Sequence, residues 1–475
     1  MRGNPTPTHC QFDRPPAKVD GARVLVMGLG RFGGGVGVAR WLVDQGAHVT
    51  VTDQADCGVL EDSIRRLGDC ALSWKLGGHD TADLDAVDFV VVNPAVDKRH
   101  SPFFEEILER RLPWTTEINL FCERCVGTVV GITGSYGKST TCAMLAAVLE
   151  RWCAGLARPY RKVFLGGNIG RSLLCDLPRI EPASLVVLEL SNAQLEDLPR
   201  IEWAPPIAVI NNIRPHHLDR YPDYQGYVQA KLNVVRDPTG RSRVFYGDLE
   251  REAMTWLRAE MAGRLEHLIP VVEPVPAIEL RVPGAHNRKN ADAAYAVCRH
   301  LGVDDASIRD SLSSFEGLSH RLEFVRSIRG VEYVNDSKAT SPEAMLASIE
   351  ALEGPCVLLT GGQDKLVVAS NWVESVVRAC RAVVCVGETR RSWADAFHAA
   401  IRNAAAQPQS TDPERSILAH ERVYLADDLE NALDLARAVT KPGDFVLFSP
   451  GAPSFDRYTN FAERGDRFKA MIERL

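Results

Sequence analysis

The chain has 475 residues, 45% of them hydrophobic and 25% charged, with 55 basic against 62 acidic side chains and a net charge of −7. At roughly 100–200 residues per domain this length suits about two to four domains with cores of their own, so a small stapled scaffold is excluded. Mild acidity without a long basic run leaves no electrostatic footprint for nucleic acid and argues against a membrane surface. The opening MRGNPTPTHCQFDRPP is polar and proline-rich, unlike a signal peptide, and residues 1–20 read as a disordered tail. No run approaches the roughly 18 apolar residues of a membrane span, which predicts a cytoplasmic chain without stable membrane association; a monomer is expected. The 12 cysteines are scattered through apolar segments and read as reduced core residues. Cys122 and Cys125 have C-x-x-C spacing but no second such pair, and read as structural.

Beyond the tail, ARVLVMGLG reads as a buried strand, VARWLVDQGA as a helix, AHVTVTD as a second strand and VDFVVVNPAV as a later one. A second group follows with GTVVGITG, a helix from Lys138 to about Arg151, SLVVLELS and PIAVINNI. A third comprises VEYVNDS, PCVLLTGG, RAVVCVGE, RVYLADD and DFVLFSPG. Alternating strands and helices imply mainly parallel sheets, hence an α/β protein of three domains spanning residues 21–112, 113–317 and 318–475. The stretch AAAQPQSTDPER, residues 404–415, reads as a mobile surface loop.

Two glycine-rich loops point to nucleotides. Gly28, Gly30 and Gly33 follow the first strand, with Asp53 at the end of the next, the spacing of a dinucleotide fingerprint. Its glycines would let a pyrophosphate approach a helix N-terminus while the acid accepts a ribose hydroxyl. The motif alone leaves open an NAD-dependent oxidoreductase, another nucleotide, or a tight turn without ligand. The second loop, Thr133-Gly-Ser-Tyr-Gly-Lys-Ser-Thr140, is sharper, because it can cradle phosphate on its amides, set Lys138 against the outer phosphates and place Ser139 to ligate magnesium. Its spacing is a shortened Walker A in which Gly134 is the working glycine. That loop predicts ATP binding through Gly134, Ser135, Tyr136, Gly137, Lys138, Ser139 and Thr140. Glu189, ending the apolar strand in LELS, stands where a Walker-B-like acid belongs, to hold the magnesium that Ser139 also touches.

This second loop, followed by LELSNAQLEDL, HHLDRYPDYQGYVQAKL, GAHNRKNADAA, HRLEF, NDSKAT and SPGAPSFDRYTNFAERGDRF, resembles the Mur ligases of peptidoglycan synthesis, colinearly from about Val24 to the C-terminus. HLDRYP and NDSKAT point within them to the branch that adds D-glutamate to UDP-N-acetylmuramoyl-L-alanine. The resemblance implies an N-terminal Rossmann-like domain for the UDP-sugar, a central P-loop ATPase-like domain and a C-terminal Rossmann-like domain for the amino acid. It implies ATP and two magnesium ions, and an acyl phosphate on the L-alanine carboxylate that the incoming amine attacks. Catalytic residues become Lys138, Glu189, His217 and Lys231, with Ser139, Glu189, His217 and a carbamylated Lys231 holding metal. Gly30, Arg31, Phe32, Asp53, Gln54, Asn168 and Ser191 become UDP-substrate contacts, and NAD becomes the poorer reading. Asn287 and Asn290 fall to the adenine side, while Arg321, Asp336 and Lys338 reach the nucleotide from the C-terminal domain on closure. Thr340, Lys365, Ser454 and Phe461 match the D-glutamate pocket. Asn192 and Ala193 stand where the family has serine and phenylalanine, and Pro453 precedes Ser454. A sibling or folylpolyglutamate-type ligase with another acceptor amino acid, including L-glutamate, a P-loop switch protein and, as a poorer reading, a NAD-dependent oxidoreductase are the alternatives.

Overall fold

The computed structural model describes residues 18–30, 33–155, 158–214, 221–271, 278–282, 285–352, 354–364, 371–405 and 422–475. Two compact units divide the chain: residues up to 276 with 289–312 form the first, and 277–288 with 313–475 the second.

The first unit holds two sheets. Strands β1 (Arg23–Met27), β2 (His48–Asp53), β3 (Leu72–Leu76), β4 (Phe89–Val92) and β5 (Trp114–Thr115) are arranged β3-β2-β1-β4-β5, all parallel. Strands β6 (Thr128–Thr133), β7 (Lys162–Gly167), β8 (Ser184–Glu189), β9 (Ile207–Ile213), β10 (Arg243–Leu249) and β11 (Leu268–Pro270) form a parallel sheet ordered β11-β10-β9-β6-β8-β7. Strands inside these sheets are covered on both faces, which is why FVVV in β4 and SLVVLE in β8 are buried throughout. In both sheets the strand order reverses beside the first strand, β1 or β6, and the glycine-rich loops leave the C-terminal ends of those strands. Open α/β sheets bind ligands in such crevices.

Helix packing explains glycines that a phosphate alone would not require. The helix Gly34–Asp44 lies against the loop that follows β7. A Cβ on Gly33 would come within 2.6 Å of the Gly170 carbonyl, and one on Gly37 within 2.3 Å of Ser172 Cβ. Within the helix itself, Gly35 admits the Leu29 carbonyl at 2.1 Å from where its Cβ would stand. A continuous apolar cluster runs from Val24, Val26 and Leu42 on the first sheet to Val129, Phe164 and Val186 on the second, so the two sheets share a core. Val19, inside the stretch expected to be a tail, is buried in that cluster, and the packed chain begins before residue 21.

The second unit has β12 (Glu323–Ile328), β13 (Val331–Asn335), β14 (Cys356–Thr360), β15 (Cys380–Cys385), β16 (Val423–Leu425) and β17 (Phe445–Phe448), ordered β12-β13-β17-β14-β15-β16. Only β12 runs antiparallel to its neighbour. Apolar clusters cover both faces, one built on Leu358, Trp372 and Phe397, the other on Leu359, Phe448 and Phe468. The described cysteines are all free, in accord with the reduced reading. Burial pushes both Cys122 and Cys125 up from the usual thiol range, which leaves them protonated. The stretch 404–415 lies outside the described residues from 406 onward, and 404–405 end the helix Arg390–Ala405.

Gly37→Ala should overpack the helix against Ser172 and cost about 1–3 kcal/mol. A thermal melt checks it, and adding Ser172→Gly should restore part of the loss.

Candidate functional site

In the second sheet the register aligns Ile132 of β6 with Glu189 of β8, and Glu189 with Gly167 of β7. Three strand ends therefore open onto one place. The phosphate-type loop turns there through Gly134, at φ 155°, and Gly137, at φ 78°, before the helix Lys138–Cys153. Both conformations suit glycine. A side chain at 137 would strike Asn290, whose Oδ1 lies 2.2 Å from the ideal Cβ.

The loop is held from beneath. Ser135 Oγ meets the Tyr227 hydroxyl at 2.7 Å and donates to the Arg214 carbonyl at 3.0 Å. Asn212 brackets Tyr136, accepting from its amide at 2.9 Å and donating to its carbonyl at 3.2 Å. Thr141 accepts from Asn211 at 2.8 Å and donates to Asn290 at 3.3 Å. Asn290 thus sits against the start of the phosphate helix, and Asn287, one turn earlier on the helix Ala285–His300, is buried too. Thr140 is buried and Tyr136 exposed.

Glu189 is 2% exposed, with both oxygens in use: Oε2 accepts from Ser139 Oγ at 2.5 Å and Oε1 from Asn168 Nδ2 at 2.9 Å. Lys138 Nζ folds back onto the carbonyls of Gly134 at 2.9 Å and Ser135 at 3.2 Å. Lys231, also 2% exposed, donates to the same Gly134 carbonyl at 2.9 Å and to Asn192 Oδ1, and its nitrogen lies 4.8 Å from the Tyr227 ring centre. Burial, reinforced by the nearby Lys138 charge, holds the Lys231 amine well below the usual lysine range. Ser191 is committed to a capping box with Gln194, which starts the short helix Asn192–Leu195. His217 lies outside the described residues.

At the first loop, Gly30 adopts φ 62°. Asp53 Oδ2 accepts from the amides of Leu29 at 2.8 Å and Gly30 at 3.1 Å, and Oδ1 from Ala55 at 2.9 Å. The acid expected to meet a ribose is therefore bound to its own backbone, while Gln54 beside it is exposed. Arg31 and Phe32 lie outside the described residues.

In the second unit, Asp336 is buried beyond β13, accepting from Leu322 N at 3.1 Å and Ser449 Oγ at 2.7 Å, and burial pushes its carboxyl up to about 6. Lys338 Nζ lies 5.7 Å from the Phe461 ring centre. His320 meets the same ring edge-on at 6.0 Å, next to half-buried Arg321. The Gly451 amide donates to the Ala339 carbonyl at 2.9 Å and Gln363 N to Pro453 O at 2.9 Å, which gathers the loops carrying Thr340 and Ser454 and the GGQDK loop. Thr340 is exposed and Ser454 buried; Lys365 lies outside the described residues. Sequence reading missed His320, Tyr227 and the role of Asn192. Tyr227 stands four residues before Lys231 on the helix Tyr224–Leu232, a one-turn spacing that could have flagged it.

A hydroxyl bonded to a buried carboxylate beside a glycine-rich loop supplies the oxygen donors that nucleotide-dependent phosphoryl transfer uses. Residues 132–262 match the Mur ligase middle domain and residues 320–451 the Mur ligase, glutamate ligase domain. The chain belongs to the Mur ligase family, and it is an ATP-dependent ligase of peptidoglycan-precursor synthesis. It is 33% identical to the UDP-N-acetylmuramoylalanine–D-glutamate ligase of Roseiflexus sp. (strain RS-1), over 95% of this chain and 98% of the relative. The ligase of the same name from Geotalea uraniireducens (strain Rf4) is 32% identical over 95% and 97%. The fold is similar to the crystal structure of UDP-N-acetylmuramate-alanine ligase from Thermotoga maritima, with a TM-score of 0.57 at 18% identity over 95% of this chain and 99% of that one. Among the described residues no helix is long and apolar enough to cross a membrane.

Asp53→Ala should release three backbone amides and cost about 1–3 kcal/mol without any ligand present. A fall in melting temperature of the free protein checks this, against an unchanged melt if the carboxylate served only a substrate.

Proposed function

We propose that this chain joins D-glutamate to UDP-N-acetylmuramoyl-L-alanine, converting ATP to ADP and phosphate. The observation that supports the reading is the Ser139–Glu189 contact beside the Gly134–Lys138 turn, a hydroxyl bonded to a buried carboxylate next to a glycine-rich loop that carries a lysine.

A carboxylate resists attack because its charge repels nucleophiles and oxide is not a leaving group. Transfer of the γ-phosphoryl to the L-alanine carboxylate makes an acyl phosphate, the amine of the acceptor attacks its carbonyl carbon, and phosphate leaves as the amide forms. In this reading the loop amides from Gly134 to Thr140 hold the phosphates, and Lys138 exchanges its carbonyl partners for phosphate oxygens. Ser139 and Glu189 fit a first magnesium ion, because hard oxygen donors that leave room for water and phosphate suit it. Bound there, magnesium supplies charge neutralisation on the transferring phosphoryl. An amine kept neutral by burial can add carbon dioxide, so Lys231 suits carbamylation, and its new carboxylate, with His217, would complete a second site. Asn168 and Ser191 would orient the alanyl end of the substrate, and the uridine end would lie on the first loop at Gly30, Arg31 and Phe32. The order β3-β2-β1-β4-β5 supports a Rossmann-like first domain, and β6 with its loop a P-loop-like second. Asn290, against the start of the phosphate helix, is assigned to the nucleotide.

For the acceptor, a dicarboxylate needs cationic and hydroxyl donors that leave its amine unprotonated and unobstructed. Thr340, Lys365 and Ser454, with Phe461 at the side, are assigned to it; the glutamate ligase match over residues 320–451 and the named relatives support glutamate.

Lys138→Ala should lower substrate-dependent phosphate release by about 10²–10³-fold or more; near-normal turnover would remove the ATP assignment. Lys231→Ala should lose activity and recover part of it with formate or acetate, which an inert lysine would not allow. Amide formation should prefer D-glutamate over L-glutamate, D-aspartate and L-lysine at equal concentration, and a preference for L-glutamate or L-lysine would reassign the acceptor pocket.

A further inference from the structure

In the second unit the register sets Thr360, the last residue of β14, beside Cys385, the last of β15. The loops that follow, residues 361–364 and 386–389, therefore leave the sheet together, at the strand ends where open α/β sheets place ligands. Each amide of residues 361–364 is held by another loop. Gly361 N donates to Pro450 O at 2.8 Å, Gly362 N to Thr389 Oγ1 at 3.1 Å, Gln363 N to Pro453 O at 2.9 Å and Asp364 N to Glu388 Oε2 at 3.2 Å. Glycines make this interlocking possible. An ideal Cβ on Gly361 would stand 2.0 Å from the Val386 carbonyl oxygen, one on Gly362 2.3 Å from that of Pro453, and one on Gly387 2.8 Å from the Gly362 Cα. The bond from Gln363 to Pro453 also sets the residue after it, buried Ser454, and Asp364 directly precedes Lys365.

Within this clasp Thr389 has an unusual assignment. It is 2% exposed, and its carbonyl accepts from Trp393 N at 3.0 Å, which starts the helix Arg390–Ala405. A threonine in that place ordinarily turns its hydroxyl onto the first amides of its own helix. Here the hydroxyl oxygen takes the Gly362 amide, and the Thr389 amide donates back to the Gly362 carbonyl at 3.1 Å. Both backbone groups of Gly362 are thus committed to one residue 27 positions away. Gly362 is buried, so without the hydroxyl its amide has no water to turn to, and it regains a partner only if the loop moves. Glu388 repeats the arrangement at the exposed rim, its carboxylate on the Asp364 amide and its own amide on Asp456 Oδ2 at 3.3 Å.

We propose that Thr389 is a positioning residue for the acceptor: its hydroxyl fixes the loop 361–364, and through that loop the donors that receive the carboxylates of the incoming amino acid. The inference rests on the reading that the GGQDK and SPGAPS loops serve the acceptor. Hold on a carboxylate is sensitive to displacements on the order of 1 Å. Such a contact is made with the bound acceptor before and during reaction, so weakening it raises KM and leaves kcat. ATP and the UDP-sugar are assigned to loops of the first unit, and their KM values serve as internal controls.

Steady-state phosphate release by the full chain, with each of the three substrates varied in turn, tests this. Thr389→Val keeps the shape and removes the hydroxyl. It should raise KM for D-glutamate about tenfold or more, with kcat and the other two KM values within about twofold of the wild type. Thr389→Ser, which restores the oxygen, should return KM for D-glutamate to near the wild-type value. If Thr389→Val does not fold, the exposed neighbour decides: Glu388→Ala should raise the same KM, and Glu388→Gln, which keeps an acceptor for the Asp364 amide, should not. An unchanged KM for D-glutamate, a parallel rise in all three KM values, a fall in kcat alone, or a Thr389→Ser variant as impaired as Thr389→Val overturns the proposal. A wild type that does not saturate with D-glutamate overturns the acceptor reading and this inference with it, whereas saturation with a KM indifferent to the hydroxyl overturns the inference alone.

Discussion

Two lysine side chains converge on one backbone carbonyl, that of Gly134, each at 2.9 Å. This sharing is the constraint around which the site is arranged. It requires the carbonyl to turn inward at a φ of 155°, available to glycine, and it brings two amines close enough that one raises the cost of charging the other. Lys138 has the more accessible position and keeps a loop-side location, whereas Lys231 is enclosed by Tyr227 and Asn192. The same chemical group is thereby given two characters by environment alone.

The support of that arrangement reaches back through the loop after β7. Asn168 fixes one oxygen of Glu189, Gly170 and Ser172 press on the helix Gly34–Asp44, and Ser172 also holds Glu117. A loop of a few residues therefore packs on the first glycine-rich turn and its helix and reaches the second only through Glu189, and its close approach is possible because Gly33 and Gly37 carry no side chains. Glycine enrichment in the first loop thus answers to helix–loop packing as well as to any ligand.

The inner strands were legible because each is a continuous apolar run: β1, β4, β6, β8, β9, β14 and β17 lie where the patterns place them. Strands at or near a sheet edge were read unevenly: β2, β15 and β16 match predicted runs, whereas β3, β5, β7, β10, β11 and β12 were not read. LSWKL in β3 and EFVRSI in β12 have only half-buried and exposed residues over five or six positions, and β11 has only three, too little pattern to separate from a loop. Lys138, Ser139 and Glu189 were readable from spacing because loop and strand end are local features, and Ser139 and Glu189 do meet. Asp53 was readable as a residue at the right place and still misjudged in its partners, since nothing in a linear pattern says that its oxygens face the amides of Leu29 and Gly30. Asn192 was visible only as a departure from the family, and its contact with Lys231 depends on a helix 39 positions away in the chain.

The self-satisfied Asp53 has a thermodynamic consequence. A loop whose amides are already tied to a carboxylate loses its conformational freedom when the chain folds, and a ligand arriving at Gly30 meets a surface that needs little further ordering. The entropy of shaping the turn is charged to folding, where a large shared core offsets it, and not to association. Differences in affinity among ligands at this turn then report their contacts and their desolvation, undiluted by a variable cost of building the receptor.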